Sequence, residues 1–551
     1  MAHFDVIIIG SGAGGGTLAQ RIAPTGKTIL ILERGEHLPR EAENWSPRSV
    51  FIQHRYRTQE KWYDKTGKPF TPNTHYWVGG NTSFYGAALL RLRKRDFDEV
   101  QHAGGVSPAW PISLADLAPY YAEAEAHWRV HGARGVDPTE EGDEPPYTFA
   151  PVHHDPGVAE LKSHWEAQGW KPFSLPLGVD LDQARPVTSA CIKCKTCGGY
   201  PCLLKAKSDA RTLAIEPLLD EPNVTLLTGR KVVRLETDAA GKTVTEVVCE
   251  TAHGEERWTG DIVVLAAGAA NSAAVLLASA NAAHPKGLAN GSDQVGRNYM
   301  FHTLTAMVSL TANDVDVTFP KTLAVNDFYW GDPAGGYDKP MGHIQLLEYM
   351  SGQTLEGQVS DWLPPALVPD IMVDAMAERM ISMLVISEDL PLAENRVRLT
   401  PDGRINLDYT YNNLEGHQRL VAKLRASLDG FVDHAHPISQ HHFQFDSLLP
   451  LYGTAHQAGT VRFGKDPATS VLDPWCKAHE LDNLYVTDTS FFPSIAAVNP
   501  TLTVVANAMR VGDHLAERLG RAAGPSGAAA RRSGDRTPVA AQGRRRARLI
   551  S

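Results

Sequence analysis

The hydrophobic pattern at the N-terminus predicts a strand, a glycine-rich turn, a helix and a second strand. Residues 4–9 form a short β-branched run, which is typical of a strand buried on both faces. Apolar residues recur at helical spacing over residues 18–23, and Pro24 and Gly26 end that pattern before a second apolar run at residues 28–32. The segment is therefore predicted to start a parallel, nucleotide-binding sheet.

The turn between the first strand and the helix carries the pattern G-x-G-x-x-G, formed by Gly10, Gly12 and Gly15. These glycines permit a tight turn, close approach of the backbone to a pyrophosphate, and close packing of helix on strand. Glu33 ends the second strand, where a carboxylate can accept hydrogen bonds from the hydroxyls of an adenosine ribose. A carboxylate there disfavours a 2′-phosphate, so the pattern predicts FAD or NAD; a purely structural glycine turn is the alternative.

Later apolar runs predict that the chain returns to the same sheet. Residues 223–229, 232–236 and 257–266 read as strands. The apolar part of the last one, residues 262–265, leads into small residues, as expected of a buried parallel strand. Residues 484–488 predict another strand, and residues 501–519 predict a long helix. These segments favour a sheet that is completed by the C-terminal part of the chain.

Between these parts, the pattern favours a second domain on a mostly antiparallel sheet. Strand-like runs lie at residues 306–310 and 381–386, and a hairpin is predicted from residues 396–399 to 404–409. The predicted fold class is thus α/β with α+β: a Rossmann-like domain that binds FAD or NAD, and a second domain that is expected to bind the substrate. The predicted boundaries are residues 1–300 and 451–520 for the first domain, 301–450 for the second, and 521–551 for a disordered basic tail.

The composition is that of a globular protein and argues against some partners. The chain has 551 residues, 43% of them hydrophobic and 21% charged, with a net charge of −10, which makes a nucleic-acid partner improbable. We find no apolar run of about 18 residues that would cross a membrane, and the first residues lack the basic start of a signal peptide. We expect a cytoplasmic protein without a membrane partner.

Four separated motifs occur in the order found in the glucose-methanol-choline (GMC) family of FAD-dependent oxidoreductases, which the chain resembles over residues 3–520. The resemblance implies FAD rather than NAD, and oxidation of an alcohol with transfer of hydride to the flavin. The motifs are the fingerprint ending at Glu33, the stretch after Gly79-Gly80, the strand ending at Gly268, and the pair HQAGTVRFG and VNPTLT, which contain His456 and Asn499.

The resemblance also implies roles for individual residues. His456 resembles the family's catalytic base, for which a pKa near neutrality is suited, and Asn499 its partner that hydrogen-bonds the substrate oxygen. For an isolated histidine, a packed imidazole without catalytic function would be the usual interpretation. The residues expected to hold the cofactor are Gly10, Ser11, Gly12, Gly15, Glu33, Gly79, Gly80, Asn81, Val232, Asp488, Asn499 and Thr501.

Residues 81–98 and 497–510 look closer to bacterial sugar and glycoside oxidases than to choline or cholesterol oxidases. This resemblance implies a small-molecule sugar or glycoside substrate, oxidised at a secondary pyranose hydroxyl, C2 or C3, as in pyranose oxidases and glycoside 3-oxidases. Reoxidation would use O2, giving H2O2, or another acceptor. Phe84 stands where pyranose 2-oxidases carry the histidine that attaches the flavin, so we expect non-covalent FAD.

Two alternatives remain open at this stage. One is a GMC dehydrogenase that passes electrons to a partner through a cysteine-bound iron–sulfur cluster. The other is a lyase of the same fold that uses FAD without redox chemistry.

Cysteines and histidines form two clusters that could suggest a metal. Cys191, Cys194, Cys197 and Cys202 have gaps compatible with an iron–sulfur cluster or zinc, but the spacing differs from that of ferredoxins, and we favour free thiols or a local disulfide. The second cluster lacks an accompanying pattern of acidic residues, and we interpret it as packing or as the edge of a substrate site. It comprises His434, His436, His441 and His442. No metal is predicted.

Overall fold

The structure is a computed structural model, and it describes residues 2–141, 144–311, 315–354, 377–432, 445–453 and 455–520. The predicted basic tail and the four histidines between residues 434 and 442 lie outside the described residues. Within the described part of the chain, no helix combines the length and apolarity needed to cross a membrane.

The elements alternate between strands and helices in the N-terminal part and become mainly strands after residue 300. The helices are α1 (Ala13–Ile22), α2 (Leu114–His127), α3 (Pro156–Ala167), α4 (Ala269–Ala278), α5 (Leu414–Ser427) and α6 (Thr501–Arg518). The strands are β1 (His3–Ile9), β2 (Ile29–Leu32), β3 (Trp62–Asp64), β4 (Pro69–Phe70), β5 (Val100–Gln101), β6 (Val106–Ser107), β7 (Val130–His131), β8 (Phe173–Ser174), β9 (Leu177–Gly178), β10 (Val224–Leu227), β11 (Lys231–Thr237), β12 (Val244–Thr251), β13 (Gly254–Leu265), β14 (Thr303–Leu310), β15 (Leu323–Val325), β16 (His343–Leu346), β17 (Met380–Ser387), β18 (Arg396–Leu399), β19 (Ile405–Asp408), β20 (Phe445–Leu448) and β21 (Leu484–Val486).

The largest sheet confirms the predicted nucleotide-binding core. Its order is β10–β2–β1–β13–β12–β11, and β21 adds to β13. Five strands run parallel to one another, as buried βαβ strands do: β10, β2, β1, β13 and β21. Because all side chains of β2 and of residues 6–9 in β1 are buried, this sheet is covered on both faces.

Strand β13 belongs to two arrangements at once. Its first five residues, 254–258, pair antiparallel with β12, whereas residues 259–265 pair parallel with β1. Residues 263–265 also pair with β21, which comes from the far end of the sequence. The C-terminal part of the chain thereby returns to the N-terminal sheet, as the sequence predicted.

Helix α6 packs beside α1 and brings its own N-terminus to the same edge of this sheet. The Arg21 guanidinium of α1 forms two hydrogen bonds with the Asp513 carboxylate of α6, at 2.6 and 2.8 Å. A Cβ atom at Gly512 would lie 2.6 Å from the Arg21 side chain, so the two helices are in close contact.

A second sheet confirms the prediction of antiparallel strands after residue 300. Its order is β20–β14–β17–β16–β15–β8, and every pair is antiparallel. Helices α3 and α5 cover it with buried apolar side chains such as Trp165 and Leu424. The edge strand β8 and helix α3 precede residue 300, so this layer draws on both parts of the chain. The domain boundaries at residues 300 and 450 stay a prediction.

The predicted hairpin of residues 396–409 forms, but it belongs to a third sheet rather than to the second one. Strand β18 pairs with β19, and β19 pairs in parallel with β3 near the N-terminus. Turn chemistry at residues 401–403 specifies a hairpin locally, whereas the sheet it joins depends on a partner more than 300 residues away.

A buried lysine ties the segment after Gly79-Gly80 to the cysteine-rich loop. Lys207 is 2% exposed, and its ammonium donates to the carbonyl oxygens of Ser83 (3.3 Å), Tyr85 (3.0 Å) and Tyr200 (2.7 Å). Burial lowers the pKa of Lys207, so the three carbonyls offset the cost of placing this group in the interior.

Lys207→Met is expected to lower the free energy of unfolding by about 2–4 kcal/mol, because it leaves three inward-facing carbonyls without their donor. Urea unfolding followed by circular dichroism measures the change, with Lys286→Met at an exposed position as the matched control. An equal, small effect in both variants would contradict this account of Lys207.

Candidate active site

The hydroxyl of Ser11 joins three of the segments that the sequence predicted to hold the cofactor. The Ser11 Oγ donates to Glu33 Oε2 at 2.6 Å, and the Ser11 N–H donates to the same oxygen at 3.0 Å. The Gly79 N–H in turn donates to Ser11 Oγ at 3.1 Å. The glycine fingerprint, the predicted ribose-binding acid and the Gly79-Gly80 motif are therefore brought together at one buried point.

Glu33 is itself buried and held in one orientation. Its Oε1 accepts the Gly35 N–H at 2.8 Å. Burial raises the pKa of the Glu33 carboxyl, and the hydrogen bonds from Ser11 and Gly35 oppose that rise by stabilising the carboxylate. A carboxylate fixed at the end of β2 fits the ribose contact that was predicted for it.

The glycines of the fingerprint divide into those that pack and one that faces open space. A Cβ at Gly10, where φ is +103°, would lie 2.4 Å from the Ala266 carbonyl oxygen, and one at Gly15 would lie 2.1 Å from the Gly10 oxygen. A Cβ at Gly12 would meet no atom of the described chain within 4 Å. Gly80 lies across from it, since its Cβ would come 3.5 Å from the Gly12 Cα.

This open space suits a pyrophosphate. Helix α1 begins after Gly12, and within the described chain neither a side-chain cap nor an acidic residue occupies its first turn. The free N–H groups and the positive end of the helix dipole favour a phosphate there. FAD therefore fits the residues present, and Gly12 and Gly80 would hold its pyrophosphate.

The other predicted cofactor residues surround this region. Arg230 donates its backbone N–H to the Glu33 carbonyl at 2.9 Å, and Val232 follows two residues later, near the start of β11. The Asn81 side-chain oxygen accepts the His75 N–H at 2.8 Å and so closes the turn around Gly79-Gly80. Both positions are consistent with their predicted roles.

Asp488 links the ends of two strands to the start of α4. Its carboxylate accepts the Gly268 N–H at 3.0 Å, the Ser490 N–H at 2.9 Å and the Ser272 hydroxyl. Burial raises the pKa of Asp488, against the effect of these hydrogen bonds. The structure thus shows Asp488 organising the strand ends beneath the predicted flavin site.

The predicted base, His456, lies against the segment that leads into β14. Met300 and Ala458 exchange backbone hydrogen bonds of 3.0 and 2.8 Å, which align the two segments. His302 consequently meets His456, with 3.0 Å between their Nδ1 atoms. His302 was not predicted from the sequence, since no local pattern distinguishes it.

His302 also reaches the loop that carries Asn499. Its Nε2 lies 3.0 Å from the carbonyl oxygen of Ala496, three residues before Asn499. The predicted catalytic pair is therefore connected through this one buried imidazole, which is fully inaccessible to solvent.

Asn499 is buried just before α6, and its side-chain oxygen has no hydrogen-bond partner within the described residues. Thr501 begins α6, whose first turn carries neither a side-chain cap nor an acidic residue among the described residues. A buried amide oxygen without a partner is rare in folded proteins, so this atom is suited to a bound ligand.

Burial keeps both imidazoles uncharged. It lowers the pKa of His456 to about 4, and it holds the pKa of His302 well below the ordinary value, with the neighbouring His456 adding to the effect. At neutral pH, His456 is therefore a neutral imidazole that can take up a proton.

Comparisons with known proteins identify the family of the chain. Two GMC oxidoreductase family models match residues 163–304 and 391–508. The 6‴-hydroxyparomomycin C oxidase of Streptomyces lividus is 31% identical over 94% of this chain and 92% of its own length. The chain belongs to the GMC oxidoreductase family.

One further relative supports the GMC assignment, and a solved structure shares the fold. Paromamine 6′-oxidase of Streptomyces fradiae is 32% identical, covering 92% of this chain and 90% of its own. A solved structure of Aspergillus oryzae formate oxidase shares the fold, with a TM-score of 0.65, 19% identity and coverage of 94% and 98% of the two chains. The predicted GMC fold, the oxidoreductase class and the use of FAD are thereby confirmed.

In this GMC oxidoreductase, buried side chains fix the loop before Asn499. The Ala496 N–H donates to Glu388 Oε1 at 2.9 Å, and the Ala497 N–H donates to the Tyr329 hydroxyl at 3.1 Å. Ala496 has a φ of +56°, a left-handed conformation that is uncommon for alanine. The loop thus keeps a strained backbone because Glu388, Tyr329 and His302 engage three of its backbone polar groups.

The cysteine-rich loop packs beside the segment that follows Gly79-Gly80. All six cysteines are free thiols, and Cys197 Sγ accepts a hydrogen bond from the buried Lys321 ammonium at 3.0 Å. Within the described residues, no three His, Cys, Asp or Glu side chains are grouped as a metal ion would require. The structure thus gives this loop a packing contact with Lys321.

Gly12→Ala and Gly14→Ala should separate cofactor binding from folding. The methyl group of Gly12→Ala would enter the proposed pyrophosphate space, so we expect FAD binding to weaken about tenfold or more while the apoprotein keeps its thermal stability. Gly14→Ala would place a methyl group 2.0 Å from the Thr487 carbonyl oxygen, and should destabilise the apoprotein itself.

Titration of apoprotein with FAD, followed by flavin fluorescence, measures the affinity, and a thermal melt without FAD measures the stability. Unchanged FAD affinity in Gly12→Ala would place the pyrophosphate elsewhere.

Proposed function

We propose that this GMC oxidoreductase oxidises a hydroxyl group of a sugar or glycoside, with His456 as the base and Asn499 as the hydrogen-bond partner of the substrate oxygen. The observation that carries the proposal is the connection of a buried, neutral His456 to the loop that bears the unpartnered Asn499 amide oxygen. The names of the two Streptomyces relatives, oxidases of paromamine and hydroxyparomomycin C, support a sugar-containing substrate.

The residues of the chain would divide the reaction between them. The His456 imidazole takes the proton of the substrate hydroxyl, which its neutral state allows. Bound FAD supplies the acceptor for the hydride that leaves the carbon bearing this hydroxyl. Asn499 orients the substrate oxygen, and the N-terminus of α6 provides a positive dipole that favours negative charge on the bound ligand.

The position of oxidation is the finer part of the proposal. The resemblance at residues 81–98 and 497–510 favours a secondary hydroxyl, at C2 or C3 of a pyranoside. The name of one Streptomyces relative specifies the 6′ position, which makes a primary hydroxyl the competing candidate.

We infer that FAD is held without a covalent bond and that O2 or another small acceptor reoxidises it. Phe84, at the position where pyranose 2-oxidases attach the flavin, stacks on His75 with ring centres 3.9 Å apart, and a phenyl ring offers no nucleophile. Precipitation of the holoenzyme with acid tests this point, because non-covalent FAD stays in the supernatant.

Anaerobic mixing with a matched panel of methyl glucosides, each lacking one hydroxyl, tests the substrate class. We expect bleaching of the flavin near 450 nm by the parent glycoside and by the 6-deoxy analogue, and none by the analogue that lacks the reacting secondary hydroxyl. If only the 6-deoxy analogue fails to bleach the flavin, the oxidised position is C6 instead of a secondary carbon.

Choline and simple alcohols serve as controls in this panel, and bleaching by these but by no sugar or amino sugar would overturn the sugar proposal. Return of the flavin colour on admission of air would identify an oxidase. A flavin that stays bleached in air would identify a dehydrogenase.

Replacement of His456 tests the base directly. We expect His456→Ala to slow flavin reduction by about 10²–10⁴-fold at pH 7, whereas the exposed control His253→Ala should leave the rate unchanged. Because burial lowers the pKa of His456 to about 4, the wild-type rate should stay constant from pH 6 to 8 and fall only as the pH approaches 4. A rate that titrates near 6.5, as an exposed imidazole does, would contradict the buried base.

A further inference from the structure

His302 occupies a position from which it can determine which nitrogen of His456 carries the proton. It is fully buried, has a left-handed backbone with a φ of +61°, and contacts both the His456 ring and the loop before Asn499. Its Nδ1 faces His456 and its Nε2 faces the carbonyl of Ala496, and the second of these partners has a fixed hydrogen-bonding role.

The fixed partner is the carbonyl oxygen of Ala496, which can only accept. Its distance of 3.0 Å from His302 Nε2 therefore requires that Nε2 carries a hydrogen. In a neutral imidazole, the other nitrogen, Nδ1, is then unprotonated and can only accept.

The same reasoning extends to His456. His302 Nδ1 lies 3.0 Å from His456 Nδ1, and since the former is the acceptor, His456 Nδ1 must be the donor. The lone pair of the His456 ring is then on Nε2. The opposite tautomer of His456 would place two lone pairs against each other at this distance.

The neutral state of His302 follows from its surroundings. A protonated His302 would donate from both nitrogens and reverse the argument, but burial, together with the neighbouring His456, holds the pKa of His302 well below its usual value. The hydrogen bonds from His302 to backbone carbonyls oppose this shift only in part.

We propose that His302 is a positioning residue that holds His456 in the tautomer protonated on Nδ1, so that Nε2 receives the proton of the substrate hydroxyl. The bond that breaks is the substrate O–H, the bond that forms is Nε2–H, and the resulting imidazolium keeps its Nδ1–H bond to His302. The part of this proposal that concerns proton uptake rests on the proposed role of His456 as base. The assignment of the tautomer does not depend on that role.

The far end of this hydrogen-bond chain is itself fixed. The Ala496 N–H is held by Glu388, whose other carboxylate oxygen lies 3.0 Å from His102 Nε2. The Ala496 carbonyl shares a planar peptide with the Ala497 N–H, which donates to the Tyr329 hydroxyl at 3.1 Å. Since the carbonyl cannot turn away without losing that contact, His302 cannot exchange its two nitrogens at low cost. One chain of contacts thereby sets the proton position on His456 and the path of the loop to Asn499.

Nitrogen NMR of the resting holoenzyme with ¹⁵N-labelled histidine tests the tautomer without any turnover. We expect the His456 signals, assigned by their loss in His456→Asn, to show a protonated Nδ1 and an unprotonated Nε2. Protonation of His456 on Nε2 would overturn the proposal. If the NMR signals show the expected tautomer but His456→Ala keeps its activity, only the role of His456 as base is overturned.

Two amide variants test the kinetic consequence. The amide of His302→Asn can replace Nδ1 and still accept from His456, and asparagine tolerates the left-handed backbone. The longer side chain of His302→Gln places its amide where Nε2 of the His302 ring lies in the wild-type protein. There it can keep the contact with Ala496, but it leaves His456 Nδ1 without its acceptor.

We expect His302→Asn to retain the rate of flavin reduction within about fivefold, and His302→Gln to lose at least about thirtyfold with little change in substrate KM. If His302 only supports the loop, His302→Gln, which keeps the Ala496 contact, should instead be the more active variant. A more active His302→Gln, or equal losses in the two variants, would overturn the proposal. A thermal melt of each variant monitors folding, and should His302→Gln fail to fold, the NMR measurement on the wild-type protein decides alone.

Discussion

The buried hydroxyl of Ser11 is the contact on which the cofactor region depends. A hydroxyl can donate one hydrogen bond while it accepts others, and Ser11 uses this to donate to Glu33 and to accept from Gly79. Alanine would remove both contacts, and a larger residue would not fit a position that is fully inaccessible. The acid, the glycine fingerprint and the second glycine motif are far apart in sequence, yet their relative position is fixed by this one oxygen.

The parallel strands explain why the remaining parts of the site meet at the same place. Strands β1, β13 and β21 are neighbours, and their carboxyl ends lie at one edge of the sheet, where ligands bind in open α/β sheets. The closeness of the strand ends is shown by the contacts that added Cβ atoms would make, since Gly10 lies against Ala266 and Gly14 against Thr487. Asp488 then ties β21 to the start of α4, so the chain that continues to Asn499 starts from a fixed point.

The sequence predicted those parts whose structure is decided locally. Strand β1, helix α1 and strand β2 lie within about one or two residues of their predicted limits, because β-branched runs and glycines act through the nearest neighbours. The amphipathic pattern of residues 113–132 predicts a helix capped by Ser113. Helix α2 begins there, with a capping box to Asp116, but it ends at His127. It ends early because residues 130–131 pair with β9, a tertiary contact that no local pattern reports.

The candidate site shows the same division. His456 and Asn499 were identifiable because they lie in motifs, whereas His302 acquires its function only where two segments 154 residues apart are aligned by the Met300–Ala458 pairing. The first three residues of β13 and the whole of β12 were also missed, since they leave the buried parallel sheet and lack its continuous apolar pattern.

The low pKa of His456 makes the orientation of this base more important than its strength. Burial keeps the imidazole neutral at physiological pH, yet an imidazolium with a pKa of about 4 forms reluctantly. With His456 as the proposed base, proton uptake would be easiest as the hydride leaves, because loss of hydride makes the hydroxyl of the same carbon strongly acidic. Such coupled transfers would require that Nε2 and the substrate oxygen be aligned beforehand. The contacts of His302, Ala496 and Glu388 provide that alignment, and their burial protects it from competition by water.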